Sequence, residues 1–346
     1  MIVVFVAGII YFEIEPANTN INYEPADSQK VTDTTIRFNS DGKLKILHIA
    51  DTHLNYDKHF DASVWVIAQA CDVEKPDLVV LTGDNTHPNE DPEKTKKLIN
   101  ALMNIFESRK IPVAVTFGNH DSEGGPMTRE DIMEYYQTFS CVISTDNSEN
   151  FKNCATFNVP VLASDSDKVN FNLWVFDSGD YDEDEPRHYD RVRTEQIEWY
   201  KKTAAKLKKE NGGKTVNSVV FQHIIVPEIY DVLKKSDSKQ PYAIKHIYNE
   251  EEFYMFDSEQ VNYGTLNEKP CPGYYNDGQF DALVETGDVL AMFTGHDHTN
   301  AFGVRNQNID IYTSPMTRYK GLAYTTQYGY RVVEIDENDT STYETR

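Results

Sequence analysis

From residue 44 onward the chain alternates short apolar runs with longer stretches in which apolar residues recur every three or four positions. The short runs are β-branched or Leu-rich and stop abruptly at polar residues, which predicts strands at 44–50, 77–82 and 111–116. The longer stretches predict helices at 61–74 and 93–109; in the second, Leu98, Leu102, Ile105 and Phe106 share one face. Further strands are predicted at 171–177, 217–222 and 288–294, shorter ones at 301–304, 308–313 and 330–335, and a helix at 193–210. Such alternation implies βαβ units around a buried sheet, an α/β fold.

Two stretches fall outside this pattern. Residues 13–40 are polar, contain Pro16 and Pro25 and show no sustained period, so residues 1–40 read as a leader and linker ahead of one folded unit at 41–346. Residues 236–276, polar and aromatic with Pro241, Pro270 and Pro272, read as an insertion or lid over one end of the sheet. The apolar run Ile2–Phe12 is shorter than the ~20 residues of a membrane span but has the length of a signal-peptide core. It predicts entry into the secretory pathway and an extracellular or vesicular location, with this segment as the sole link to a membrane. The absence of a basic n-region leaves an N-terminal strand and a cytoplasmic location as the alternative. The sequon Asn338-Asp339-Thr340 fits the secretory reading.

Composition narrows the partners. With 346 residues, 39% of them hydrophobic, a single large α/β domain can bury its own core. A formal charge of -23, without any long Lys/Arg block, disfavours nucleic acid, whose binding draws on cationic residues that displace counterions. A small phosphorylated substrate or a phosphoprotein remains compatible if bound metal supplies local positive charge. Cys71, Cys141, Cys154 and Cys271 show no C-x-x-C spacing, so a thiolate zinc site is not expected; Cys141 and Cys154 either close a loop as a disulfide or stay free.

The candidate chemistry lies where the apolar runs end, which is where open α/β sheets place ligands. Asp51-Thr52-His53 leaves the first strand, and residues two apart on extended backbone project to one side. Gly83-Asp84-Asn85 ends the second strand and Gly118-Asn119-His120-Asp121 the third. His223 follows Val219-Val220-Phe221, and Gly295-His296-Asp297-His298 follows the run ending at Phe293. Singly, an Asp or His at a strand end is more often a turn former than a ligand. Five such clusters, each ending a separate strand, point to a metal centre. Of the other histidines, His48 is assigned to the core between Leu47 and Ile49, and His59, His188 and His246 to the surface. Tyr181, Arg187, Tyr274, Tyr275 and Tyr319 could line a cleft but receive no role.

The ordered set D-x-H, G-D-N, G-N-H-D, H, G-H-x-H resembles the calcineurin-like metallophosphoesterases over roughly residues 44 to 335. Within it, LTGDNTH, LWVFDSGDY, QHIIVPE and GHDHTN are similar to the purple-acid-phosphatase-like branch found in plants and fungi. The resemblance implies two mixed β-sheets packed face to face with helices on both outer sides, an αββα sandwich. It also implies two metal ions, Fe, Mn or Zn, one held by Asp51, His53, Asp84 and His298, the other by Asp84, Asn119, His223 and His296. Such a pair clamps phosphoryl oxygens and lowers the pKa of a water between the ions. His120 would face substrate as a proton donor, its ring oriented by Asp121. His87 stands where true purple acid phosphatases carry the Tyr that binds ferric iron; it either supports the metal ligands from behind or is a loop histidine before Pro88, the second being favoured, with His53 compensating as a ligand. The implied activity is hydrolysis of phosphomonoesters. A phosphodiesterase or nuclease is the first alternative, disfavoured by the acidic charge; a catalytically silent relative is the second, disfavoured because every ligand position is filled.

Overall fold

The computed structural model describes residues 21–25, 32–143, 151–185, 187–257, 259–319 and 328–346. The N-terminal half builds β1 (Lys43–Ile49), α1 (Phe60–Glu74), β2 (Leu78–Thr82), α2 (Pro92–Arg109), β3 (Val113–Thr116) and α3 (Arg129–Tyr136). The C-terminal half continues with β4 (Phe157–Leu162), β5 (Val169–Phe176), α4 (Thr194–Glu210), β6 (Ser218–Gln222) and a 3-10 turn at Pro227–Val232. Then come β7 (Leu233–Ser236), β8 (Ile244–Lys245), β9 (Phe253–Phe256), β10 (Val261–Thr265), α5 (Gln279–Thr286), β11 (Val289–Thr294), β12 (Ala301–Asn306), β13 (Ile309–Thr313), β14 (Arg331–Asp336) and β15 (Asp339–Thr345).

Two mixed sheets carry the architecture. One runs β15-β14-β1-β2-β3 with β1, β2 and β3 parallel; the other runs β10-β12-β13-β11-β6-β5-β4 with β5, β6, β11 and β13 parallel. The period of two along each strand sorts side chains into layers. In β1, Leu44 and Ile46 join Leu78 and Val80 of β2 against Leu173, Val175, Phe221 and Phe293 of the second sheet. Leu47 and Ile49 point the other way, onto α1, α2 and α3 through Ile67, Leu102, Phe106 and Ile132. The outer face of the second sheet is covered by α4 and α5, through Trp199, Tyr200, Phe280 and Leu283 packed on Trp174, Val220 and Met292. The predicted αββα sandwich is therefore the observed fold.

The predicted strands and helices are present with ends displaced by one or two residues. β4 was not predicted because Pro160 interrupts its run; as the sheet's edge strand it can carry a proline without losing a ladder bond inward.

Two expectations are corrected and one open alternative is decided. The linker is partly folded: Asn100 and Asn104 of α2 donate to the carbonyls of Tyr23, Asn22 and Glu24, and Ile36 and Phe38 are buried ahead of β1. The Ile2–Phe12 run lies outside the described residues. Cys141 and Cys154 are free thiols, Cys141 buried beneath Glu107, whose carboxylate accepts from its backbone N–H. The stretch 236–276 divides: β8 and β9 form a small sheet with β7, whereas β10 becomes the edge strand of the larger sheet beside β12.

Candidate metal centre

The five polar clusters leave neighbouring parallel strands of both sheets and meet above their C-terminal ends. Asp51, His53, Asp84 and His296 all adopt positive φ, at 55°, 42°, 50° and 73°. Backbone of this kind in residues other than glycine costs free energy and collects at functional sites. The loops are tied to one another to hold it: Asp51 N–H donates to Gly83 O at 3.1 Å and His53 N–H to Asp84 O at 2.7 Å. Gly118 is required by space, since a Cβ there would stand 2.2 Å from Asp84 Oδ1 and 2.6 Å from His223 Nε2.

Two groups of donors result. Asp51, His53, Asp84 and His298 bring one ligand atom each within 4.8 Å of one another, and Asp84, His223 and His296 form a second such group. Asp84 belongs to both. Its Oδ1 accepts from His120 N–H at 2.8 Å, while Oδ2 lies 3.4 Å from His53 Nε2 and 3.4 Å from His223 Nε2. His298 Nε2 stands 3.6 Å from Asp51 Oδ1 and 2.9 Å from His53 Nε2. Asn119 donates its amide nitrogen to Tyr181 Oη at 3.0 Å, which leaves its Oδ1 buried without a hydrogen-bond partner.

The sequence profile of the calcineurin-like phosphoesterases matches residues 44–300. The chain belongs to this family. Among relatives, it is 28% identical over 336 residues to probable inactive purple acid phosphatase 14 of Arabidopsis thaliana, an alignment covering 86% of this chain and 77% of that protein. It is 26% identical over 293 residues to phosphatase DCR2 of Saccharomyces cerevisiae, covering 78% of this chain and 46% of the yeast protein. In fold it is similar to a dimetal phosphatase from Danio rerio, with a TM-score of 0.55 and 12% identity over 87% of this chain and 98% of that one.

The family implies a dinuclear metal centre, and the residues present fit one. Asp84 Oδ2, Asn119 Oδ1, His223 Nε2 and His296 Nε2 are buried with no hydrogen-bond partner, a costly state for lone pairs unless a cation faces them. Burial holds His53 and His296 well below the usual histidine range, in the neutral form that ligates metal. At His223 burial pulls the same way, yet the carboxylates of Asp84, Asp51 and Asp121 push it up to about 9. That ring donates through Nδ1 to Thr82 O at 2.9 Å, so the field around its Nε2 is one that favours positive charge.

Two expectations about the surroundings change. Asp121 does not orient His120: its carboxylate accepts from the N–H groups of Gly118 and Asp84, each at 2.7 Å, and of Asn85 at 2.9 Å, clasping two ligand loops together. The ring of His120 is held instead by Glu123, which contacts its Nδ1. Nor is His87 a free loop histidine, since its Nε2 lies 2.9 Å from Nδ1 of His53. Further supports escaped the sequence reading: Arg318 donates to His53 O at 2.8 Å and Arg129 to Gly118 O at 2.8 Å, each anchored by a carboxylate, Asp57 and Asp177. The only signal for Glu123 was its position three residues beyond His120; Arg318 lies far from the motifs, and Arg129, eight residues past Asp121, belongs to no motif.

The remaining histidines divide. His48 is in the core as expected, between Thr82 Oγ1 at 2.7 Å and Ser314 Oγ at 3.0 Å. His59, His188 and His246, expected on the surface, are half-buried against rings, His188 stacked on Tyr274 at 3.9 Å, His246 tilted against Tyr230 at 4.0 Å and His59 edge-on to Tyr319 at 5.9 Å. Tyr275 packs beneath Arg191, away from any assigned role, and Arg187 is exposed.

Proposed function

We propose that the protein is a phosphomonoesterase that works with two metal ions, one held by Asp51, His53, Asp84 and His298 and the other by Asp84, Asn119, His223 and His296. The observation that carries this reading is the convergence of unpartnered buried lone pairs on Asp84, Asn119, His223 and His296, with Asp84 Oδ2 equidistant from one histidine of each group. When bound, the ions would supply positive charge for the phosphoryl oxygens and an activated water.

The chain's own residues supply position and protons. His120, partly exposed above the centre with ring centroids 5.4 Å from His53 and 5.3 Å from His87, is placed to protonate a departing alkoxide. Its Nδ1 is engaged by Glu123, which leaves Nε2 as the nitrogen free for that transfer. Asp121, Arg129 and Arg318 keep the ligand loops from relaxing out of their left-handed backbone. The word inactive in the name of the Arabidopsis relative belongs to that protein; here a complete donor set supports turnover. Mixed nitrogen and oxygen donors are compatible with Fe, Mn or Zn.

The substrates proposed are small phosphorylated molecules or phosphoproteins rather than nucleic acids, because a net charge of -23 repels long polyanions. Secretion is proposed on the Ile2–Phe12 run and on the exposed position of Asn338 in the turn between β14 and β15. Among the described residues no helix is long and apolar enough to cross a membrane. The test is side-by-side kinetics on p-nitrophenyl phosphate and bis-p-nitrophenyl phosphate with Mn, Fe and Zn supplied separately. A higher kcat/KM for the monoester is expected; a diester preference under every metal would establish a phosphodiesterase, and no turnover of either a silent relative.

A further inference from the structure

Beside the metal centre opens a cleft of about 640 Å³ that the proposed chemistry does not use. It is continuous with the centre through two tyrosines: Tyr181, whose hydroxyl meets the Asn119 amide at 3.0 Å, and Tyr189, whose ring stands edge-on to His296 at 4.3 Å. Those two rings stack on each other at 5.7 Å. A second aromatic wall carries His188 and Tyr248, edge-on at 5.1 Å, with His188 backed by Tyr274.

These rings are fixed before any ligand arrives. Tyr248 donates its hydroxyl to Pro272 O at 2.8 Å and accepts from the backbone N–H of Tyr189 at 3.3 Å, which ties the two walls together. Pre-positioned tyrosines offer large contact area at a small entropy cost. Ring faces and edges also attract another ring beyond what area burial provides, because the quadrupoles align in stacked or edge-to-face pairs. At the rim stand Lys269 and Arg187, the latter 3.9 Å from Glu185, with Glu250 paired to Lys245 at 3.8 Å, so cations are present at the mouth beside its carboxylates on a strongly acidic chain and can meet an incoming phosphate.

We propose that this cleft binds a planar aromatic leaving group, so that the substrates are phosphomonoesters carrying an aromatic ring close to the ester oxygen. The inference rests on the phosphomonoesterase reading, and two measurements separate them. Phenethyl phosphate and cyclohexylethyl phosphate have alcohols of nearly equal acidity and similar bulk, and differ in the flat ring. Benzylphosphonate and cyclohexylmethylphosphonate make the same comparison without turnover, by calorimetric titration of the metal-loaded protein. The aromatic member of each pair is expected to be favoured about three- to tenfold, the range of one aromatic pairing. His188→Leu should lower both ratios, with Tyr181, Tyr189 and Tyr248 still in place; Tyr274→Leu, at a more exposed position, should lower them less. Equal binding of the two phosphonates with turnover of both esters would overturn the cleft assignment and leave the phosphatase standing. Tighter binding of the aromatic phosphonate without turnover of either ester would support the cleft and overturn the phosphatase. Ratios unchanged in both variants would show that these rings do not form the site.

Discussion

Glu123 grips the Nδ1 of His120, and its other carboxylate oxygen accepts from Tyr181 at 3.3 Å. A ring fixed at one nitrogen presents the other in a single direction, which matters because a proton donor acts only within hydrogen-bond reach of the leaving oxygen. His120→Ala is expected to lower kcat by about 10²–10⁴-fold with metal content unchanged. Glu123→Ala should cost about 10–10²-fold in kcat with little change in KM, the penalty of a misplaced group, and Glu123→Gln, which keeps an acceptor, should recover part of it. Elemental analysis run beside the kinetics decides the matter: metal lost with His120→Ala would make His120 a ligand.

Asp84 is the residue that both donor groups share, with Oδ2 between His53 and His223 and Oδ1 tied to the His120 backbone. An Asn in its place keeps the volume but removes the negative charge that would face both ions. Asp84→Asn is therefore expected to abolish hydrolysis and to lower occupancy at both sites together, whereas His223→Ala should empty chiefly one. Loss of a single ion from Asp84→Asn would refute its bridging role.

The contact between His87 and His53 predicts an effect on metal rather than on chemistry. A hydrogen-bonded partner fixes the tautomer and orientation of a ligating imidazole, and its removal weakens metal binding by about 10–100-fold. His87→Ala should show that loss in competition with a chelator. Because His53 occupies the position facing the centre and His87 lies behind it, the iron-loaded protein should lack the intense visible band of a tyrosinate-bound ferric ion. A purple preparation would mean that a tyrosine such as Tyr181 had entered the coordination shell.

These residues mark the boundary of what the sequence made legible. Asp51, His53, Asp84, Asn119, His223, His296 and His298 could be singled out because each terminates an apolar run, and strand ends of parallel sheets converge by topology. The α/β alternation was legible in the apolar runs themselves, whereas the packing of two sheets face to face was implied by the resemblance; the structure shows it as the sorting of Leu44 and Ile46 into one layer and Leu47 and Ile49 into another. What fixes the ligands was not legible. Arg318 reaches the His53 carbonyl from 265 residues away, and such contacts leave no local pattern. Asp121 misled because adjacency to His120 suggested a partnership, while the backbone turn sends its side chain to the N–H groups of the neighbouring loop. β8, β9 and β10 were read within an insertion or lid because the stretch 236–276 is polar and aromatic and carries Pro241, Pro270 and Pro272, which hides short, half-buried strands.

His48 lies deep between the sheets, its ring edge-on to Phe221 at 5.3 Å, with both nitrogens bonded, to Thr82 and Ser314. Burial, with Arg331 adding repulsion, holds it down at about 3, against 6.5 for an ordinary histidine. The sign of the consequence follows from proton counting. Above about pH 6.5 the ring is neutral in both folded and unfolded chains, so its full contribution to stability is present. As pH falls, the unfolded chain takes up a proton that the folded one refuses, and stability declines down to about pH 3, with a slope of up to about 1.4 kcal/mol per pH unit from this residue. His48→Gln removes the titration while keeping a polar group between Thr82 and Ser314. Its own cost shifts the stability curve without adding slope in this window. Urea unfolding at a series of pH values from 7 down to about 4 should therefore give a difference between wild type and His48→Gln that moves in favour of the variant by about one proton's worth of slope. Measuring the difference cancels the other titrating groups, including those of the metal centre. Parallel curves would show that His48 takes up its proton in the folded state, which would require the two sheets to open at acid pH without global unfolding.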